Sequence, residues 1–180
     1  MTDRRERRRL THVSRGGRPR MVDVSEKPVT ARRAVAEAFV TLGQETLTAI
    51  IDGQTTKGDV LTVAEMAGVM GAKRTADLIP LCHPIPLTDV VVEITPERPA
   101  GGVRVRATAA TLAATGVEME ALTAAAVAAL TVYDMVKGID RGAAIRDIQL
   151  LEKSGGRSGE WRRPAAGQAP TRRGSGRRRA

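Results

Sequence analysis

Asp134 and Lys137 lie three residues apart on a predicted helix, so a carboxylate and an ammonium group share one helix face. When such a pair is partly desolvated, each group shifts the pKa of the other, as acid–base chemistry requires. The alternative is a solvent-facing ion pair that stabilises the helix by only about 0.3 kcal/mol. The spacing alone leaves both interpretations open.

Lys57 lies in a Lys-Gly-Asp sequence directly before a predicted helix. An ammonium group at this place can meet an anion that the helix N-terminus also favours. Asp59 is better interpreted as the N-cap of that helix than as a catalytic group. The Gly-x4-Gly-Lys-Ser/Thr pattern of a P-loop is absent, and an ordinary surface lysine is the alternative.

The segment from Leu81 through Cys82 to His83 lies among Pro80, Pro84 and Pro86, which hold the backbone extended. A rigid backbone suits the lining of a substrate pocket. The alternative is a buried histidine beside a core cysteine. No protein-bound metal is expected, because the sequence has two histidines, one cysteine and no spaced ligand partner for either histidine.

Glu118 and Glu120 fall in the first turn of the longest predicted helix, where the helix dipole stabilises carboxylates. Thr115 and Glu118 have the Thr-x-x-Glu form of a capping box, which predicts that Glu118 caps the helix. Capping does not explain Glu120, which points to another side of the helix.

The elements that must position these residues alternate between strands and helices. Apolar periodicity predicts strands over 32–41, 87–95, 103–112 and 144–153, and helices over 44–51, 59–71, 73–79 and 117–138. The alanines of 32–41 leave a helix as a competing interpretation there. The order predicts an α+β fold, a ferredoxin-like βαββαβ sandwich with extra helices after the first strand.

Charge divides the 180 residues into three parts, although the formal net charge is +9. Residues 1–20 carry +6, residues 161–180 carry +7, and residues 21–160 carry −4. We therefore predict a basic, largely disordered N-terminal segment (1–20), a catalytic α+β domain (21–160) and a disordered Arg/Gly-rich tail (161–180). The arginines leave polyanion binding through the ends as an alternative function.

Composition disfavours several other classes. The longest stretch without a charge is 13 residues, shorter than the roughly 20 of a membrane span, and no apolar segment follows the basic start as in a secretory signal. We therefore expect a cytoplasmic protein. A single cysteine excludes an internal disulfide, and three aromatic residues are too few for a base-stacking sheet, which makes nucleic-acid binding an unlikely function.

Six ordered blocks carry a family resemblance. They are Met21-Val-Asp-Val-Ser25; Lys57-Gly-Asp-Val60; Lys73-Arg-Thr75 with Asp77-Leu-Ile-Pro-Leu-Cys-His-Pro84; Thr115-Gly-Val-Glu-Met-Glu-Ala-Leu-Thr-Ala124; Tyr133-Asp-Met135 with Lys137; and Lys153-Ser-Gly-Gly156 with Ser158-Gly159. From about residue 10 to residue 160, the chain resembles the cyclic pyranopterin monophosphate synthase family, the molybdenum cofactor biosynthesis protein C family.

The resemblance implies a lyase that converts 3′,8-cyclo-7,8-dihydro-GTP to cyclic pyranopterin monophosphate and pyrophosphate in molybdenum cofactor (molybdopterin) biosynthesis. It implies a homohexamer, a trimer of dimers, with each active site at a subunit interface. It implies no cofactor, and it leaves open whether Mg²⁺ accompanies the triphosphate.

The resemblance also assigns roles to matching positions. Asp134, Lys57 and Lys137 would be the catalytic residues. The substrate would contact six residues near the middle of the chain and at the start of the long helix, namely Leu81, Cys82, His83, Glu118, Met119 and Glu120. Arg32 and Lys153 would neutralise phosphate.

Overall fold

A computed structural model describes residues 17–157 and 159–164. Within them lie a five-stranded sheet and four α-helices, so the α+β prediction is confirmed. In chain order the elements are β1 (Thr30–Thr41), α1 (Gln44–Ile51), α2 (Val60–Lys73), α3 (Thr75–Leu78), β2 (Leu87–Glu97), a 3-10 turn (Arg98–Ala100), β3 (Gly102–Ala113), α4 (Glu118–Val136), β4 (Ala144–Ser154) and β5 (Trp161–Arg162). The segments predicted over 1–16 and 165–180 lie outside the described residues.

All neighbouring strands of the sheet are antiparallel, in the order β2-β3-β1-β4-β5. The central strand β1 confirms the strand interpretation of 32–41 over the helical one. Its alanines Ala34, Ala36 and Ala38 are fully buried, because they form the face of the strand that packs in the core. The tail predicted from Trp161 onward begins with the short strand β5, which lies at one edge of the sheet.

Helix α4 packs across the sheet and contacts β1, β3 and β4. Its buried face is rich in alanine, and Ala121, Ala124 and Ala128 have no exposed surface. By length and composition the helix could span a membrane, with 19 residues and a mean hydropathy of 1.4, but half of that window is buried inside the chain. Packing in the core accounts for this apolar face.

Two details at the ends of α4 differ from the sequence prediction. The prediction of a capping box was wrong. The helix begins at Glu118, Val117 occupies the N-cap position, and no side chain caps the helix there. The Glu118 carboxylate instead accepts a hydrogen bond from Lys153 Nζ at 2.6 Å. A charge-assisted bond of this kind is stronger than a neutral cap. The helix also ends at Val136 rather than at Gly138.

The N-cap of α2 confirms its prediction, since the Asp59 side chain accepts a hydrogen bond from the Thr62 amide at 3.1 Å. This cap fixes where α2 begins and therefore where the preceding loop, which carries Lys57, must lie. Gly68 and Gly71 on α2 then allow the helix to approach α4 closely.

Gly71→Ala tests this close packing. A Cβ atom at position 71 would lie 2.8 Å from Cγ2 of Val127. Valine is β-branched and restricted in χ1, so rotating its side chain away from the new methyl group costs free energy. We expect the overlap to outweigh the roughly 1 kcal/mol that alanine gains in a helix, so that the free energy of unfolding falls by about 1–2 kcal/mol.

Urea unfolding measures the change. The control is Gly138→Ala, because no atom lies within 4 Å of a Cβ there and its stability should be unchanged or raised. Adding Val127→Ala should make the Gly71→Ala change less costly. An equally costly Gly71→Ala change in that background would contradict the packing argument.

Candidate active site

The three predicted catalytic residues meet at the C-terminal end of α4. Lys137 Nζ lies 2.6 Å from Asp134 Oδ1, and Lys57 Nζ lies 3.5 Å from Asp134 Oδ2. Lys57 Nζ also donates a hydrogen bond to the Asp134 carbonyl oxygen at 2.8 Å. That carbonyl belongs to the last turn of the helix, where the carbonyl groups lack helical partners. We call these three residues the lysine–aspartate cluster.

Two ammonium groups around one carboxylate give the lysine–aspartate cluster a formal charge of +1. The hydrogen bond and charge of Lys137, with the charge of Lys57, hold the pKa of Asp134 below its ordinary value. Reciprocally, Asp134 raises the pKa of Lys137. At neutral pH the carboxylate is therefore ionised, and the same two lysines make it a weaker base than an isolated aspartate. All three side chains are about half exposed, so a ligand can reach them.

A second group of predicted residues lines a cavity of about 620 Å³ at the other end of α4. Arg32 and Lys153 lie there with Glu118, and Lys27, Arg33 and Arg157 are further cations in its wall. Arg32 is fixed in place, because its Nε and Nη2 donate hydrogen bonds of 3.0 Å to the carbonyl oxygens of Ala113 and Ala114. We call this cavity the cationic pocket; its excess of positive charge suits an anion.

A third group surrounds Glu120, which is buried with 4% of its surface exposed. Its Oε2 atom has no hydrogen-bond partner, and the side chain lines a cavity of about 330 Å³ together with His83. Burial raises the pKa of Glu120, and the nearby charge of Glu118 raises it further. An unpartnered buried oxygen is costly unless a ligand satisfies it.

The remaining predicted contacts lie close to the Glu120 cavity or its helix. Burial, with the charge of Glu120, raises the pKa of the Cys82 thiol, so this cysteine is a poor nucleophile at neutral pH. Leu81 and Met119 are both half-buried. The Cys82 amide donates to the Ile79 carbonyl at 3.0 Å, which helps to keep the proline-rich segment in place.

Sequence reasoning did not assign several polar residues that line these cavities. Lys73, Thr75 and Asp77 lie in the wall of the Glu120 cavity. Their signal was present, because all three belong to the blocks that carry the family resemblance. Lys27, Arg33 and Arg157 of the cationic pocket gave no comparable signal, apart from their charge.

Within a single chain the lysine–aspartate cluster lies far from the other two groups. Glu120 and Asp134 are 14 positions apart on the continuous helix α4. At 1.5 Å per residue, about 21 Å of helix separates them. The lysine–aspartate cluster therefore lies at one end of α4, and the cationic pocket and the Glu120 cavity lie at the other.

Within the described residues, no group of three histidine, cysteine or acidic side chains could hold a metal ion.

The α+β fold, the cationic pocket and the Glu120 cavity define the class of protein only as an α+β domain with cavities suited to a small charged molecule. The MoaC family model matches residues 21–156 of the chain. Three curated relatives are each named cyclic pyranopterin monophosphate synthase. The one from Thermomicrobium roseum is 58% identical over 154 residues, covering 86% of this chain and 93% of the relative.

The relative from Cereibacter sphaeroides strain KD131 is 59% identical over 152 residues, covering 84% of this chain and 96% of the relative. The relative from Brucella ovis is 55% identical over 153 residues, covering 85% of this chain and 93% of the relative. The chain belongs to the MoaC family.

Glu120→Gln tests the raised pKa of the buried carboxyl. Because the folded chain keeps this proton longer than the unfolded chain, wild-type stability falls as pH rises from the ordinary glutamate pKa, about 4.3, through the higher folded value. Glutamine has no such titration. We therefore expect the variant to gain stability relative to wild type as pH rises from about 4.3 through the higher folded pKa, and to keep that gain at higher pH.

Urea unfolding at several pH values measures this gain. Glu45→Gln is the matched control, since this exposed glutamate lies on α1, outside the Glu120 cavity, and its replacement should change stability by less than about 0.5 kcal/mol at every pH. A stability difference between Glu120→Gln and wild type that did not change with pH would contradict the assignment.

Proposed function

We propose that this chain is a cyclic pyranopterin monophosphate synthase, a lyase of molybdenum cofactor biosynthesis. Its substrate would be 3′,8-cyclo-7,8-dihydro-GTP, and its products cyclic pyranopterin monophosphate and pyrophosphate. Membership of the MoaC family and the names of relatives at 55–59% identity support this function.

The structural observation that carries the proposal is the lysine–aspartate cluster. The reaction rebuilds a purine-derived ring and closes a cyclic phosphate with loss of pyrophosphate, so it needs proton transfers and stabilisation of a polyanionic leaving group. Asp134, ionised at neutral pH, would accept a proton. Lys137 and Lys57 would hold it in place and stabilise negative charge that develops nearby.

The other two groups would bind the substrate. Arg32 and Lys153 in the cationic pocket would contact the phosphates. Glu120 and His83 would contact the base, because a buried carboxyl with an unpartnered oxygen can pair with the hydrogen-bonding edge of a guanine-like ring. Leu81, Cys82, Met119 and Glu118 complete the proposed contacts.

The proposal places the active site between two chains. Because about 21 Å of helix separates Asp134 from Glu120, one substrate reaches both groups only if they come from different chains. We propose a homohexamer, a trimer of dimers, in which one chain supplies the lysine–aspartate cluster and its neighbour supplies the two cavities.

Three further statements belong to the proposal. The strand order β2-β3-β1-β4, with helices between β1 and β2 and between β3 and β4, supports a ferredoxin-like arrangement. The chain would be a soluble cytoplasmic enzyme. It would need no resident cofactor, and any Mg²⁺ would arrive with the triphosphate.

Mass spectrometry of the purified protein incubated with the cyclic dihydro-GTP tests the function directly. The expected products are the pterin cyclic phosphate and pyrophosphate in equal amounts. Unchanged substrate, under conditions where a relative from the same family turns it over, would refute the proposal.

Asp134→Asn tests the proton role at nearly constant side-chain shape. We expect product formation to fall by about 10²–10⁴-fold, since the amide cannot accept the proton and no longer pairs with the two lysines. Arg146→Gln is the control; this exposed arginine on β4 lines neither the cationic pocket nor the Glu120 cavity, and its loss should leave turnover within about twofold. Near-normal turnover by Asp134→Asn would exclude the role.

Mixing two inactive variants tests the interface. Asp134→Asn and His83→Ala chains, unfolded and refolded together in equal amounts, would rebuild intact sites wherever the His83→Ala chain supplies Asp134 and the Asp134→Asn chain supplies His83. Random assembly predicts recovery of about a quarter of wild-type activity. If each site lies within one chain, the mixture stays as inactive as its components.

A further inference from the structure

Strand β5 lies directly beside the cationic pocket. In the sheet register Lys153 pairs with Ala34 of β1 on one side and with Trp161 of β5 on the other. The backbone that carries Lys153 therefore lies between two strands, although it is one residue from the end of β4. Without β5, the same backbone would form the open edge of the sheet.

Several contacts besides the strand pairing hold β5 in place. The Arg163 amide and its Nε donate hydrogen bonds of 2.7 Å to the carbonyl oxygens of Leu151 and Leu150. Arg163 also stacks on the Trp161 ring, with 5.9 Å between the guanidinium carbon and the ring centroid. These contacts fix the segment that follows the pocket.

Glu152 links three strands next to Lys153. Its carboxylate lies 2.8 Å from Arg33 Nη1 on β1 and 3.5 Å from Arg162 Nε on β5. Arg33 and Glu152, with Trp161 and Lys153, line a small cavity of about 110 Å³. Arg33 and Lys153 are also part of the wall of the cationic pocket.

The glycine turn that follows β4 packs against Arg32, another cation of the cationic pocket. Gly155 and Gly156 have φ angles of +96° and +66°, which favour glycine. A Cβ atom at Gly156 would collide with the guanidinium group of Arg32, and one at Gly155 would collide with the carbonyl of Ala31. The turn thus packs against Arg32, while β5 flanks Lys153.

We propose that β5 is a positioning element of the cationic pocket. Docking of residues 161–163 on β4 holds Lys153 and the glycine turn in the geometry that binds the pyrophosphate part of the substrate. The glycine turn in turn holds Arg32. This inference rests on the proposed function. The strand lies beyond residue 156, where the match to the family model ends. Pyrophosphate binding and β5 docking must then strengthen each other.

Two truncations separate β5 from the arginine-rich tail. One chain ends at Pro164, which keeps β5 and removes residues 165–180; the other ends at Glu160, which also removes β5. Calorimetry with inorganic pyrophosphate should give the Pro164 chain an affinity within about twofold of the full chain. The Glu160 chain should bind roughly tenfold more weakly and show a raised KM with a smaller change in kcat.

Hydrogen exchange in the full chain gives a readout that does not depend on the stability of a truncated chain. Exchange of the Arg163 amide, which bonds to Leu151, should slow severalfold when pyrophosphate binds. The control is the Leu42 amide, which bonds to Gly101, away from the pocket. Trp161, the single tryptophan of the chain, should also change its fluorescence.

The outcomes distinguish the two proposals. If pyrophosphate does not bind the full chain, or binds Lys153→Gln equally well, the phosphate role of the pocket fails and this inference fails with it. If binding requires Lys153 but the two truncations bind equally and Arg163 exchange is unchanged, only the role of β5 is refuted. A loss shared by both truncations assigns the effect to the tail and also overturns the inference.

Discussion

The length of α4 is the constraint on which the arrangement of the site depends. Nineteen helical residues span about 28 Å, and the alanine face that packs on the sheet fixes where both ends lie. The groups that carry chemistry are placed at those two ends. A rigid helix cannot fold back to bring Asp134 to Glu120, so under the proposed function neither end completes a site within its own chain. Assembly of chains is therefore a requirement of the proposed chemistry.

Positive charge is concentrated at both ends of α4 although residues 21–160 carry a net charge of −4. Each important cation is held by an acceptor of the same chain. Lys137 and Lys57 contact Asp134, Lys153 contacts Glu118, and Arg32 contacts two backbone carbonyl groups. These contacts orient the cations without neutralising all of them, because carboxylates are fewer than cations in the lysine–aspartate cluster and in the cationic pocket. Local positive potential thus coexists with an acidic average.

The sequence predicted those features that depend on near neighbours. Alternating alanines favoured a strand at β1, and Asp59 at the beginning of an apolar helical pattern favoured an N-cap at the start of α2. The features it missed depend on distant partners. Glu118 fitted a capping box, but Lys153, 35 positions away, pairs with it instead. Likewise, β5 is only two residues long and exists because β4 offers a free edge, which local composition does not reveal.

The grouping of the candidate residues was also beyond the sequence alone, and it bears on their chemistry. The two carboxyl groups that family resemblance placed in one site have opposite environments: the lysines lower the pKa of Asp134, while burial raises that of Glu120. Groups whose environments push their pKa values apart are suited to opposite acid–base tasks. Under the proposed function, Asp134 is suited to accept a proton. Glu120, whose ionisation is made costly by burial, is suited to the hydrogen bond with the base proposed above. If the two carboxyl groups come from different chains, as proposed, each of them keeps its own environment in the shared site.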